Sequence, residues 1–142
     1  MRQISISYCA TLALVLFSSP ATAFETISLT GNAAQSLPAC SDAGVLGTIR
    51  SRHAAATPEA RDGIEIRDIH DAGPGRLEAF GPSAIATRHC AAKARLADGR
   101  TGRLYYMLSA GRGFAGIGWN VDFCVAGHDP WYVYGQECRS LK

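Results

Sequence analysis

The chain has 142 residues, 47% of them hydrophobic, five cysteines and a formal net charge of +2. That length accommodates one small core rather than two, and the hydrophobic fraction excludes a disordered chain. The near-neutral balance excludes the strongly basic surface of a typical nucleic-acid binder, so no nucleic-acid partner is expected.

Residues 1–23 read as a cleavable export signal. Arg2 supplies the positive start and Ala10–Phe17 the apolar stretch. Ser18-Ser19-Pro20 breaks that stretch, and Ala21-Thr22-Ala23 is a small-x-small cleavage site. The apolar run is shorter than the roughly 20 residues a spanning helix needs, so no membrane span is expected after cleavage. Cleavage leaves a single domain, residues 24–142. It removes one of 14 basic residues (Arg2) and none of 12 acidic ones, giving +1. It also removes Cys9. The expected location is periplasmic or secreted.

In an oxidising compartment the remaining Cys40, Cys90, Cys124 and Cys138 should form two disulfides. Sequence alone leaves three pairings open. We favour Cys40–Cys90 with Cys124–Cys138. The second pair closes a loop of about 15 residues, worth roughly 3 kcal/mol in the chain-entropy model.

Taken in order, Phe24–Leu29 alternates apolar and polar residues and reads as a first strand. Gly31–Pro38 reads as a loop. Ser41 and Asp42 precede Val45, Leu46, Ile49 and His53, an apolar stripe at helical spacing. Arg50 and Arg52 fall on the other face, and Pro58 marks the end. His53, on the stripe, reads as a packed residue. Gly63–His70 alternates as a strand, and Asp71-Ala72-Gly73-Pro74-Gly75 reads as a turn. Ile85–Leu96 and Arg103–Leu108 form a hairpin whose Asp98-Gly99 pair suits a type I′ turn. A glycine-rich link, Gly111–Gly118, leads to a strand at Trp119–Val125. Gly127-His128-Asp129-Pro130 turns the chain. Trp131–Tyr134 and Glu137–Leu141 read as the last strand or strands, with Gly135 a bulge. The sum is an α+β fold: one N-terminal helix packed on a four- to five-stranded antiparallel sheet.

Little in the sequence assembles into a catalytic constellation. Gly111–Gly116 matches G-x-G-x-x-G, but a strand follows where a dinucleotide site needs a helix. No two of His53, His70, His89 and His128 stand at metal-ligand spacing, and no metal or cofactor is expected. Asp122, His128 and Asp129 are the residues a small hydrolase would use. Arg88, Lys93, Arg95, Arg100 and Arg103 form a basic stripe on the hairpin, a guarded sheet face or a surface for an anionic envelope partner. Aromatic residues concentrate near the C-terminus among glycines. Phe114, Trp119, His128, Asp129, Trp131 and Tyr132 are the candidate binding residues, because exposed aromatics give large contact area at low entropic cost.

The mature chain resembles a group of small exported proteobacterial proteins of uncharacterised function. The resemblance rests on Cys40-Ser41-Asp42, Arg88-His89-Cys90, Asp98-Gly99-Arg100, Tyr105-Tyr106, Gly113–Trp119 and Cys124-Val125-Ala126-Gly127. The element order is also similar to cystatin-like folds. Pro130-Trp131 resembles the proline-tryptophan hairpin with which cystatins enter a protease cleft. Their glutamine-valine-glycine hairpin has no counterpart, since Asp98-Gly99 occupies the nearest one. The expected function is therefore non-catalytic: binding of an envelope or extracellular protein, in inhibitor-like fashion as one form. The alternatives are a small-ligand carrier, with a pocket lined by Tyr106, Phe123 and Trp119 between helix and sheet, and a small hydrolase.

Overall fold

The computed structural model describes residues 37–79 and 85–142. The export signal and the strand expected at Phe24–Leu29 lie outside the described residues. Within them the fold is α+β, a helix on an antiparallel sheet of five strands. No described helix is long and apolar enough to cross a membrane.

The helix, α1, spans Ala43–Ala55. Asp42 caps it: its Oδ1 accepts from the Gly44 and Val45 amides at 2.9 and 3.1 Å. That satisfies two of the donors a helix start leaves open. Val45, Ile49 and His53 are buried, and the chain turns extended at Ala56, two residues before Pro58. Arg52 does not simply face solvent. Its Nη1 donates to Asn120 Oδ1 at 2.8 Å and to the Val121 carbonyl at 2.9 Å, which ties α1 to the sheet edge.

The strands are β1 (Ile66–His70), β2 (Arg76–Glu78), β3 (Thr87–Leu96), β4 (Thr101–Ala110) and β5 (Trp119–Val125). Their order is β1-β3-β4-β5, and β2 also pairs with β3. β1 lies along one end of β3 and β2 along the other, so together they form one interrupted edge. β2 is a strand that the sequence pattern does not reveal: three exposed residues give no alternation to read.

The β3–β4 turn differs from expectation. A type I′ turn needs two residues at positive φ, and here only Gly99 has it, at +86°. The loop is instead three residues, Ala97-Asp98-Gly99, closed by Leu96 N to Arg100 O at 2.8 Å and Gly99 N to Leu96 O at 3.0 Å. Asp98 accepts from the Arg100 amide at 2.9 Å and from Arg100 Nε at 2.6 Å, which holds it out of the left-handed region.

Strand parity sorts the sheet into two faces. Cys90, Ala92, Ala94 and Leu96 of β3 join Leu104, Tyr106 and Leu108 of β4 in the core under α1. Tyr106 is fully buried, and its hydroxyl donates to the Cys40 carbonyl at 2.7 Å. Burial pushes its pKa up to about 12. Its side chain belongs to the core cluster against which Trp119 and Phe123 pack.

The opposite face is covered by the C-terminal segment. The strands expected at Trp131–Tyr134 and Glu137–Leu141 are absent. The first is a series of turns and the second a 3₁₀ segment, Gln136–Leu141. Tyr132, Glu137 and Cys138 all have positive φ, incompatible with extended pairing. Gly135 is no bulge but the residue before that segment, with φ +73°. Cys138 and Leu141 pack with Cys124 against Tyr105, Met107 and Tyr134. The disulfides are Cys40–Cys90 and Cys124–Cys138, as favoured from sequence. One fastens the helix start to β3, the other the tail to β5.

Candidate functional site

The site grows from the end of β5. After Val125 the chain turns at Gly127, whose φ is +78°. His128 N donates to the Val125 carbonyl at 2.9 Å. The Asp129 carboxylate then organises the next five residues. Oδ1 accepts from Val133 N at 3.0 Å and Oδ2 from Tyr134 N at 2.9 Å. The Tyr134 carbonyl in turn accepts from Ser140 N at 3.0 Å and Ser140 Oγ at 2.9 Å. The Cys124–Cys138 bond closes the base. The loop is thus held from within, yet Trp131, Tyr132 and Val133 are 63, 68 and 66% exposed.

Beneath this loop is a cleft of about 250 Å³. Its walls come from the end of α1 (His53, Ala56), the turn after it (Ala60, Arg61), β5 (Phe123, Val125) and the loop itself, with His128 and Asp129 at its start and Trp131, Val133 and Tyr134 beyond. His53 lies 6.3 Å from Phe123, ring centre to ring centre. Its pKa is lowered, first by burial and then by the Arg61 charge. Tyr134 is raised, by burial and then by Asp122 and Asp129.

Two of the three residues a small hydrolase would use, His128 and Asp129, are engaged with other groups. His128 Nδ1 lies 2.8 Å from Asp62 Oδ2, on the turn after α1, rather than against Asp129. Both Asp129 oxygens hold backbone amides. Among the described residues no three His, Cys, Asp or Glu side chains converge on a metal position.

Of the six candidate binding residues, the structure brings together His128, Asp129, Trp131 and Tyr132. Phe114 and Trp119 lie at the other end of β5, about 20 Å away at the usual rise per strand residue. Phe114, almost wholly exposed, caps a tight link whose Gly111 N donates to the Gly118 carbonyl at 2.7 Å. Trp119 is partly buried against the main core. Sequence reasoning missed Arg61 and Asp62. Nothing local announces that Asp62 meets His128, since that pair is 66 positions apart.

Three of the five residues of the basic stripe pair with carboxylates, while the Arg88 Nε is buried without a hydrogen-bond partner. Lys93 reaches Asp71 at 2.9 Å, Arg95 reaches Asp68 at 3.2 Å and Arg100 reaches Asp98 at 2.6 Å. The hydrogen bond from Lys93 holds the Asp71 carboxyl below its ordinary pKa. Arg103 donates to the Tyr105 hydroxyl at 3.3 Å.

Comparisons with family models, curated proteins and solved structures found no match to this chain.

Proposed function

We propose that this chain is an exported binding module of the cell envelope or its surroundings, contacting a partner protein through the loop Asp129–Val133. The observation that carries this reading is the pairing of exposure with rigidity. Three consecutive large apolar side chains face solvent on a loop fixed by one carboxylate and one disulfide. Ordered beforehand, such side chains lose little entropy on binding, and tryptophan and tyrosine dominate contact energies. Peptidase inhibition is one form of this activity, favoured by the exposed Trp131 next to Pro130. Phe114 sits at the far end of β5, so an inhibitory wedge would consist of this loop alone.

The test is capture from an envelope extract by the oxidised protein, with crosslinking and Trp131→Ala as comparison. We expect a specific partner retained by the parent and lost from the variant, with near-UV circular dichroism unchanged. Equal capture by both removes the loop from the contact. An inhibition assay against a papain-like peptidase separates the inhibitor form from plain adhesion.

A further inference from the structure

The cleft under the loop is lined by one cation, Arg61, and one carboxylate, Asp129. The Arg61 Nε is buried without a hydrogen-bond partner. Among the described residues its guanidinium enters no ion pair. The carboxylates around it are engaged elsewhere: Asp62 with His128 at 2.8 Å, Glu65 with Arg67 at 3.6 Å, Asp129 with two backbone amides. Beside Arg61 the wall is mostly apolar and aromatic, from Phe123, Val125, Trp131 and Tyr134, with His53, His128 and Asp129 as its polar members. A guanidinium is a planar fork of donors matched to a carboxylate, and a charge left unpaired in a partly dry site favours an anion there. The cleft's 250 Å³ is smaller than a typical drug-sized pocket and suits one ring system.

We propose that this cleft is a small-molecule site for an aromatic carboxylic acid, with Arg61 holding the carboxylate and Phe123, Trp131 and Tyr134 flanking the ring. This goes beyond the protein-contact reading of the loop, because both the occupant and the residue that selects it are different. A neutral apolar ligand would satisfy the walls but leave Arg61 unpaired. A bare small anion would satisfy Arg61 but leave the aromatic wall uncovered.

Calorimetric titration of the oxidised full chain decides the matter, with indole-3-acetate, its neutral amide and acetate as probes. Indole-3-acetate should saturate, with the amide weaker by about tenfold, as for loss of a charge-assisted pair, and acetate weaker still. Arg61→Gln should bring the acid down to the affinity of the amide, while Arg61→Lys keeps a preference for the acid. Near-UV circular dichroism confirms the fold of each variant. The proposal is overturned if acid and amide bind alike, if the acid gives no heat up to about 10 mM, or if Arg61→Gln retains the preference. Arg61→Gln should leave capture of a protein partner intact, so the two readings of the loop and cleft fail separately.

Discussion

At the scale of single residues, His53 shows how packing sets protonation. The helical stripe places it inward, next to Phe123 and within reach of the Arg61 charge, and it is 5% exposed. Burial comes first and Arg61 second in pulling its pKa below 6.5. The folded protein therefore resists the proton more than the unfolded chain does. Between the folded value and 6.5 the unfolded state holds more protons, so stability rises with pH there. The stabilising contribution is whole above about pH 6.5 and lost as pH falls through that window. Urea midpoints at pH 7.5 and pH 5 should therefore separate further in the parent than in His53→Gln, which has nothing to titrate. Parallel pH dependences would show that folding leaves the His53 pKa unchanged.

At the scale of elements, glycines sort into those that cost stability and those that permit the fold. Gly47 sits mid-helix on α1 with open space where a Cβ would project. Gly47→Ala should stabilise by about 0.5–1 kcal/mol, through helix propensity alone. Gly75 is the opposite case. It lies in the break between β1 and β2, with φ +76°, and a Cβ there would overlap Cys40 Sγ and approach the His89 carbonyl to 2.9 Å. Gly75→Ala should cost about 2–3 kcal/mol from backbone strain and displaced disulfide. Urea denaturation of the two variants should move in opposite directions, and a shared direction would contradict this account. The same region shows why some elements were legible and others not. Val45, Ile49 and His53 recur at helical spacing, and Cys90–Leu96 alternates cleanly, so α1 and β3 announce themselves. Trp131–Tyr134 also has strand-like composition, yet local preference loses there. Asp129 captures two of its amides, and Cys138 is bonded to Cys124, which folds the tail back across the sheet. Those are contacts between distant atoms, invisible to a pattern read over neighbours.

At the scale of the whole molecule, two layers of unequal kind clothe one sheet: α1 on one face, a disulfide-held tail on the other. The candidate site lies where both meet the end of β5. Its exposed half, Trp131 and Tyr132, could be read from aromatic composition. Its recessed half, Arg61 beside His53, could not, because it depends on the turn after α1 meeting a loop far along the chain. The two crosslinks should accordingly divide stability from site order. Cys40–Cys90 spans 50 positions and Cys124–Cys138 spans 14. In the chain-entropy model these are worth about 4 and 3 kcal/mol. Either is a large share of the roughly 5–15 kcal/mol that holds a domain together. Paired serine substitution at Cys40 and Cys90 should thus lower the urea midpoint more, and raise amide exchange across α1, β3 and β4 together. The same change at Cys124 and Cys138 should cost less stability but raise exchange chiefly over residues 126–142. It should also weaken binding of both indole-3-acetate and its amide in the cleft, because Trp131 and Tyr134 are no longer held where they flank the ring. Exchange rising evenly through the sheet in the second variant would mean that the tail is part of the core's cooperative unit, and that the loop owes its order to packing rather than to its crosslink.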